Sequence, residues 1–231
     1  MEVMQPTSRN QRQRQERRIF VGTLLVCMLL ASTAYAWIFG PAYVAYWNYS
    51  PQEGDILFQS LPRTRLVNLI EAVTRSPYSH CGIVARESGE WIVYEAYRDV
   101  EATPLSEFIF RGRNQGFAVY RFTSEHQHHI ASTIANTKKF VGRPYDARYR
   151  MDDDHIYCSE LIYKAYLQTT GESLGQLVKM KELNWRPYQE SIRYFEGGPV
   201  PLDREMITPI HLSQASQLQL VTAFQFRTSS D

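Results

Sequence analysis

The chain has 231 residues, with 25 Lys and Arg against 24 Asp and Glu and a formal charge of +1. That length holds one sizeable domain plus an appendage, and so balanced a charge argues against a nucleic-acid binder. Three cysteines do not make a disulfide framework.

The first 18 residues are polar and carry Arg9, Arg12, Arg14, Arg17 and Arg18 against Glu2 and Glu16. They read as a disordered basic tail. Ile19 to Phe39 then runs 21 residues without a charge. As a helix it would span about 31 Å, close to the thickness of a bilayer core. Tyr35 and Trp37 fall near its far end, where interfacial aromatics are expected. The segment reads as a transmembrane anchor, with the arginines held in the cytoplasm and the rest of the chain on the far side. A cleavable signal peptide is the alternative, because Ala34-Tyr35-Ala36 has the small-x-small form of a cleavage site. Either version sends the remainder out of the cytoplasm.

Residues 40–51 read as a juxtamembrane linker and 52–231 as the main domain. Gly54 to Gln59 is a first strand, and Arg63 to Ser76 a helix with Leu66, Leu69, Ile70 and Val73 on one face, ended by Pro77. Tyr78 to Ala85 and Glu90 to Tyr97 form a predicted β-hairpin. With a four-residue loop over Arg86-Glu87-Ser88-Gly89, Ala85 opposes Glu90 and His80 opposes Glu95, while Cys81 points the other way. A carboxylate inside an otherwise apolar strand needs a partner or solvent; His80 would supply a partner, and an edge-strand glutamate facing water is the alternative.

Pro104 to Phe110 is a predicted short helix and Phe117 to Phe122 a third strand. Ser124 to Val141 is a predicted helix with Ile130, Ile134 and Val141 inward, capped by Gly142. The histidines at 126, 128 and 129 open it and lack further ligands at defined spacing, so a solvated helix start is expected there rather than a metal site. Cys158, Leu161, Ile162, Ala165 and Tyr166 recur at helical spacing for one buried face, with Asp152-Asp153-Asp154 offering N-caps just before. Those three carboxylates lack the Gly and Glu of a calcium loop. A thiol in the first turn of a helix sits near its positive end, which favours thiolate. Pro187 to Phe195 is a further helix and Leu218 to Phe226 a last strand.

Gly54-Asp55-Ile56, Ser79-His80-Cys81-Gly82, Tyr94-Glu95-Ala96, Gly142-Arg143-Pro144-Tyr145-Asp146 and Tyr157-Cys158-Ser159-Glu160 occur in an order that resembles the YiiX/YaeF type of permuted papain-like enzymes. These belong to the NlpC-type superfamily of thiol hydrolases, and the resemblance covers roughly residues 50 to 215. It implies an α+β, circularly permuted papain-like domain, an antiparallel sheet packed on helices, here with one N-terminal transmembrane helix. It also implies Cys158 as nucleophile, His80 as base, Glu95 as the orienting residue and Tyr145 lining the site, near the developing oxyanion or the substrate. No cofactor or metal is implied. The expected activity is that of a thiol amidase or acyl hydrolase, acting through an acyl-enzyme on a lipid acyl-amide or a cell-wall peptide. An acyltransferase using the same thioester and a catalytically silent lipid- or peptide-binding module remain alternatives. The expected place is the bacterial inner membrane, with the domain on the periplasmic side.

Overall fold

The computed structural model describes residues 8–225. The chain divides into two units, residues 1–47 and 48–231. The first is built on helix α1 (Ser8–Asn48), in which Arg12–Trp37 is long and apolar enough to cross a membrane and is not buried by protein. The helix outruns the apolar run at both ends. Ser8–Arg18 are helical where a disordered tail was expected. They are rich in Arg, Gln and Glu, which are good helix formers, and Arg12 pairs with Glu16 one turn on at 3.6 Å. The expected tail's first seven residues lie outside the described part of the chain. The helix also runs on through Pro41 to Asn48, where a linker was expected.

The second unit carries an antiparallel six-stranded sheet in the order β4-β3-β2-β1-β5-β8. Its strands are β1 (Ile56–Gln59), β2 (His80–Glu87), β3 (Glu90–Ala96), β4 (Val100–Pro104), β5 (Phe117–Phe122) and β8 (Leu218–Phe224). A separate pair, β6 (Val178–Lys179) and β7 (Glu205–Met206), lies outside it. β4 has no counterpart in the sequence reading. β8 ends at Phe224, and Phe226 lies outside the described residues.

The strand turn into β1 is pinned by Asp55. Its buried carboxylate accepts from Arg121 at 2.6 and 2.8 Å, from the Tyr49 hydroxyl at 2.8 Å and from the Gln52 backbone at 2.9 Å. Every acceptor site is used, so Arg121 is a structural partner of Asp55 and not a free cation for substrate.

Helix α2 (Arg65–Thr74) follows β1. Thr64 caps it by accepting the Val67 N–H at 3.1 Å, and Val67, Ile70 and Val73 face inward. α3 (Leu105–Arg111) extends one residue past its expected end. The helix expected over Ser124 to Val141 is shorter, α4 (Ile130–Lys138), preceded by a 3-10 turn over Gln127–His129. Val141, expected inward, is 50% exposed because the helix has already ended.

The two faces of the sheet differ in what covers them. Ile56, Phe58, Cys81, Ile83, Ala85, Tyr94 and Ala118 join the main core with α2 and with α5 (Cys158–Thr170). The alternate residues, including Gln59, His80, Gly82 and Glu95, face α3, whose Phe108 stacks on His80 at 5.6 Å. The remaining helices are α6 (Gln189–Glu196) and α7 (Pro209–Ser213).

α5 is not the one-faced helix its spacing predicts. Every residue from Cys158 to Tyr163 is buried. Cys158, Ile162 and Tyr166 pack into the main core, while Leu161 joins a second cluster of Ala96, Val100, Phe140 and Ile156.

Candidate active site

The β2–β3 hairpin sets the first relationship. Glu87 pairs with Glu90, leaving a two-residue turn of Ser88 and Gly89 with φ of 50° and 89°. Such a turn needs positive φ at both positions, which Gly89 supplies freely. The loop is therefore two residues, not four, and Glu95 pairs with Gly82 instead of His80. A shift of two residues keeps every side chain on its face. His80 and Glu95 thus still meet, diagonally, with Nε2 to Oε2 at 2.5 Å. Gly82, on the same face, lies under α3: a Cβ there would come within 2.4 Å of Val93 Cγ1 and 3.1 Å of Phe108 Cε2, the ring that stacks on His80.

Arg111, at the end of α3, completes the cluster. Its Nη2 lies 2.5 Å from each oxygen of Glu95, and its guanidinium sits over the Tyr97 ring at 4.1 Å. Burial alone would raise the Glu95 pKa, but His80 and then Arg111 outweigh it and hold it down to about 2.

His80 is the first residue of β2, at the end of the sheet where α5 begins. There Cys158 meets it. The Cys158 thiol interacts first with Cys81, through both its side chain and its backbone, and then with His80. Together these outweigh burial and hold the Cys158 thiol well below its ordinary range. His80 shifts the other way. Burial opposes its charge, yet Cys158 and Glu95 together push it up to about 9. Both shifts run in the direction that favours a thiolate beside an imidazolium. Burial, followed by Cys158, pushes the Cys81 thiol up, so it remains a thiol facing a thiolate. Cys81 does point away from His80, as strand alternation requires. The same alternation aims it at Cys158, so the two cysteines meet where the sequence reading kept them apart.

The helix start is capped by its own residue. The Tyr157 N–H donates to Glu160 Oε2 at 3.1 Å, and Lys164 Nζ lies 2.8 Å from Glu160 Oε1. The expected caps do other work: Asp152 Oδ1 accepts from the backbone of Asp154 and His155, and Asp153 binds Lys164 at 2.8 Å.

Leu61, Val67, Ile70, Ser79, His80, Tyr97 and Tyr145 are among the residues lining a cleft over this cluster. Tyr145 is half-buried, and burial followed by the Cys158 charge pushes its pKa well up. Its hydroxyl lies 3.3 Å from that of Tyr149, which stacks on Tyr157 at 4.2 Å. The structure therefore brings Cys158, His80, Glu95 and Tyr145 to one place. Cys158 itself has 0% exposure and His80 1%, so the cleft reaches the imidazole edge while the thiol lies beneath it.

Residues 50–222 match the family described as permuted papain-like amidase enzyme, YaeF/YiiX, C92 family. This chain belongs to that family. It is 30% identical over 204 residues to the uncharacterized protein YiiX of Escherichia coli (strain K12), spanning 86% of this chain and 93% of that one. The crystal structure of yiiX from Escherichia coli O157:H7 superposes with a TM-score of 0.70 at 31% identity, covering 75% of this chain and 98% of that one. The family is one of papain-like hydrolases, and its fold is the α+β arrangement seen here.

That crystal structure is described as of a metalloprotein. The donors of this chain do not fit a resident metal at the cluster. His80 Nε2 is taken by Glu95, and both Glu95 oxygens carry Arg111, a fixed cation that would repel a second one. Among the described residues no three His, Cys, Asp or Glu side chains are placed to share an ion.

Sequence reasoning missed Arg111, Cys81 and Tyr149. Only Arg111 left a signal: a carboxylate in an apolar strand beside one histidine still lacks a permanent counter-charge.

Proposed function

We propose that this protein is a thiol-dependent amidase or acyl hydrolase, with Cys158 as nucleophile, His80 as base and acid, and Glu95 as the orienting group. The observation that carries this reading is the meeting of Cys158, at the start of α5, with a His80 whose Nε2 is held by Glu95 at 2.5 Å, an arrangement that favours the thiolate.

The Cys158 thiolate attacks the amide or ester carbonyl, and the carbonyl π electrons move onto oxygen. The Cys158 backbone N–H at the helix start, with Tyr145 beside it, stabilises that oxyanion. On collapse the C–N or C–O bond breaks, and the His80 imidazolium protonates the leaving amine or alcohol. Water then attacks the thioester while neutral His80 takes its proton, and Cys158 departs as thiolate. Glu95 holds the imidazole in one orientation throughout.

For substrate, the apolar surroundings favour a lipid acyl-amide over a cell-wall peptide. A mainly apolar hollow under α2, lined by Leu69, Val73, Leu183 and Phe195 with Arg148 and Glu196 also in its wall, shares Leu66 and Ile70 with the cleft. Its apolar part suits an acyl chain better than a charged peptide. α1 is read as an uncleaved anchor in the bacterial inner membrane, with the domain on the periplasmic side. A second reading, a lipid-binding module without turnover, draws on the complete burial of Cys158.

Turnover of a fluorogenic N-acyl amide by the full chain in detergent micelles, with intact-mass detection of the acyl-enzyme, tests the proposal. The expected result is turnover and a Cys158 adduct in the native protein, with neither in Cys158→Ala. Turnover retained in Cys158→Ala would overturn the enzyme reading, and binding without turnover in the native protein would support the second.

A further inference from the structure

We infer that Arg111 is a positioning residue that keeps Glu95 ionised and fixed in plane through the half of the cycle in which His80 is uncharged. The inference rests on the proposed shuttling of a proton by His80.

The cycle needs a buried carboxylate that stays charged and in place. Glu95 has no exposure to water, and a lone carboxylate in such a place would take up a proton. While His80 is an imidazolium it neutralises Glu95. Once His80 has given its proton to a leaving group, that counter-charge is gone. Glu95 would then compete for the next proton, or swing out of line, and the imidazole would lose its fixed orientation.

A guanidinium cannot be deprotonated in a protein, so Arg111 supplies a charge that does not come and go with the reaction. Its placement suits that role. Nη2 contacts both carboxylate oxygens at 2.5 Å, which fixes the carboxylate plane as well as its charge. Tyr97 and Phe108 hold the guanidinium at 4.1 and 5.6 Å, and the same two rings flank His80 at 6.0 and 5.6 Å. One aromatic frame therefore registers Arg111, Glu95 and His80 together. The other ionisable groups around Glu95 are Glu101, paired with it on β4, and the thiols of Cys81 and, beyond His80, Cys158. None of these carries a positive charge, so Arg111 is the one permanent cation among them.

The test uses the full chain in micelles and reads the alkylation of Cys158 by iodoacetamide, by mass spectrometry, as a function of pH. Without Arg111 the buried Glu95 takes up a proton more readily, and a neutral carboxyl no longer favours the imidazolium, so the thiolate forms less readily. Arg111→Met should move the acid limb of alkylation up by about one pH unit, a tenfold slower reaction on the limb. Arg111→Lys should restore most of that shift, and added guanidinium should restore part of it in Arg111→Met. A merely structural role would lower the folded fraction without moving the limb. If Arg111→Met does not fold, Arg111→Met combined with Glu95→Gln leaves no unpaired buried carboxylate or guanidinium. In the Glu95→Gln background the further loss of Arg111 should change alkylation by less than twofold. A limb unmoved in a folded Arg111→Met, or a further tenfold loss in the Glu95→Gln background, would overturn the inference. If instead native Cys158 alkylates at pH 6 no faster than an unfolded thiol, the nucleophile reading itself fails.

Discussion

The Nε2 atom of His80 stands 2.5 Å from Oε2 of Glu95, and neither side chain is open to water (2% and 0%). A buried contact of this kind fixes the imidazole in one orientation and leaves the opposite nitrogen for Cys158. Glu95→Gln keeps the shape and removes the charge. Turnover should fall by about a hundredfold or more, because the imidazolium is no longer favoured. The same change strands Arg111 without its partner, which should cost about 3–5 kcal/mol of stability. Turnover and thermal unfolding of the variant check both. Near-native turnover would remove Glu95 from the mechanism.

How far this arrangement could be read from the chain depends on which contacts are local. Phe117–Phe122 reads as a strand and forms one, because its short apolar and aromatic run suits a strand within a buried sheet. The Cys158 helix start is equally local, and it appears where its spacing puts it. β4 escapes because Val100–Pro104 is short and ends in proline, which only an edge strand tolerates. The His80–Glu95 face survived a wrong loop length because the error was an even number of residues. Arg111 lies 16 residues from Glu95 and comes to it only when α3 folds over the sheet, so Glu95 signals the need for a counter-charge but no local pattern says which residue supplies it. Cys81 and Cys158 meet for the same reason, across a strand and a helix.

Stability should have a pH window set by the same pair. Glu95 is lowered from 4.5 to about 2, so its contribution is present above pH 4.5 and lost as pH falls toward 2. His80 is raised from 6.5 to about 9, so its contribution is present below pH 6.5 and lost as pH rises through 9. Stability from this contact is then greatest between about pH 4.5 and 6.5, and worth about 3 kcal/mol at each edge by the size of either shift. The two shifts share the His80–Glu95 contact, with Cys158 contributing to that of His80 and Arg111 to that of Glu95, and they do not add. Thermal unfolding across pH 2–10, compared with His80→Ala, should show the difference between the two proteins shrinking at both extremes. A difference that is flat with pH would contradict the pairing.

Gly82 tests the packing that lets the pair form. An added Cβ would lie 2.4 Å from Val93 Cγ1, 3.0 Å from the Tyr94 carbonyl and 3.1 Å from Phe108 Cε2. Gly82→Ala should therefore destabilise by about 1–3 kcal/mol through overpacking. It should also slow turnover, because Phe108 stacks on His80. Val93→Ala opens the tightest contact, so the double variant should be less destabilised than the sum of the two single changes. Strict additivity in denaturant unfolding would show that the clash with Val93 is not the cause.

Tyr145 separates access from chemistry. Its ring lines the cleft above a thiol with no exposure, and its hydroxyl meets Tyr149 at 3.3 Å. If the hydroxyl stabilises the oxyanion, Tyr145→Phe should lower kcat by about 10²-fold while leaving Cys158 alkylation unchanged. Tyr145→Ala also removes the ring, so Cys158 should alkylate faster although turnover falls. A Tyr145→Phe protein with native kcat would assign the residue to packing alone. Faster alkylation in Tyr145→Ala together with native kcat in Tyr145→Phe would make it a cover over the thiol with no part in the chemical step.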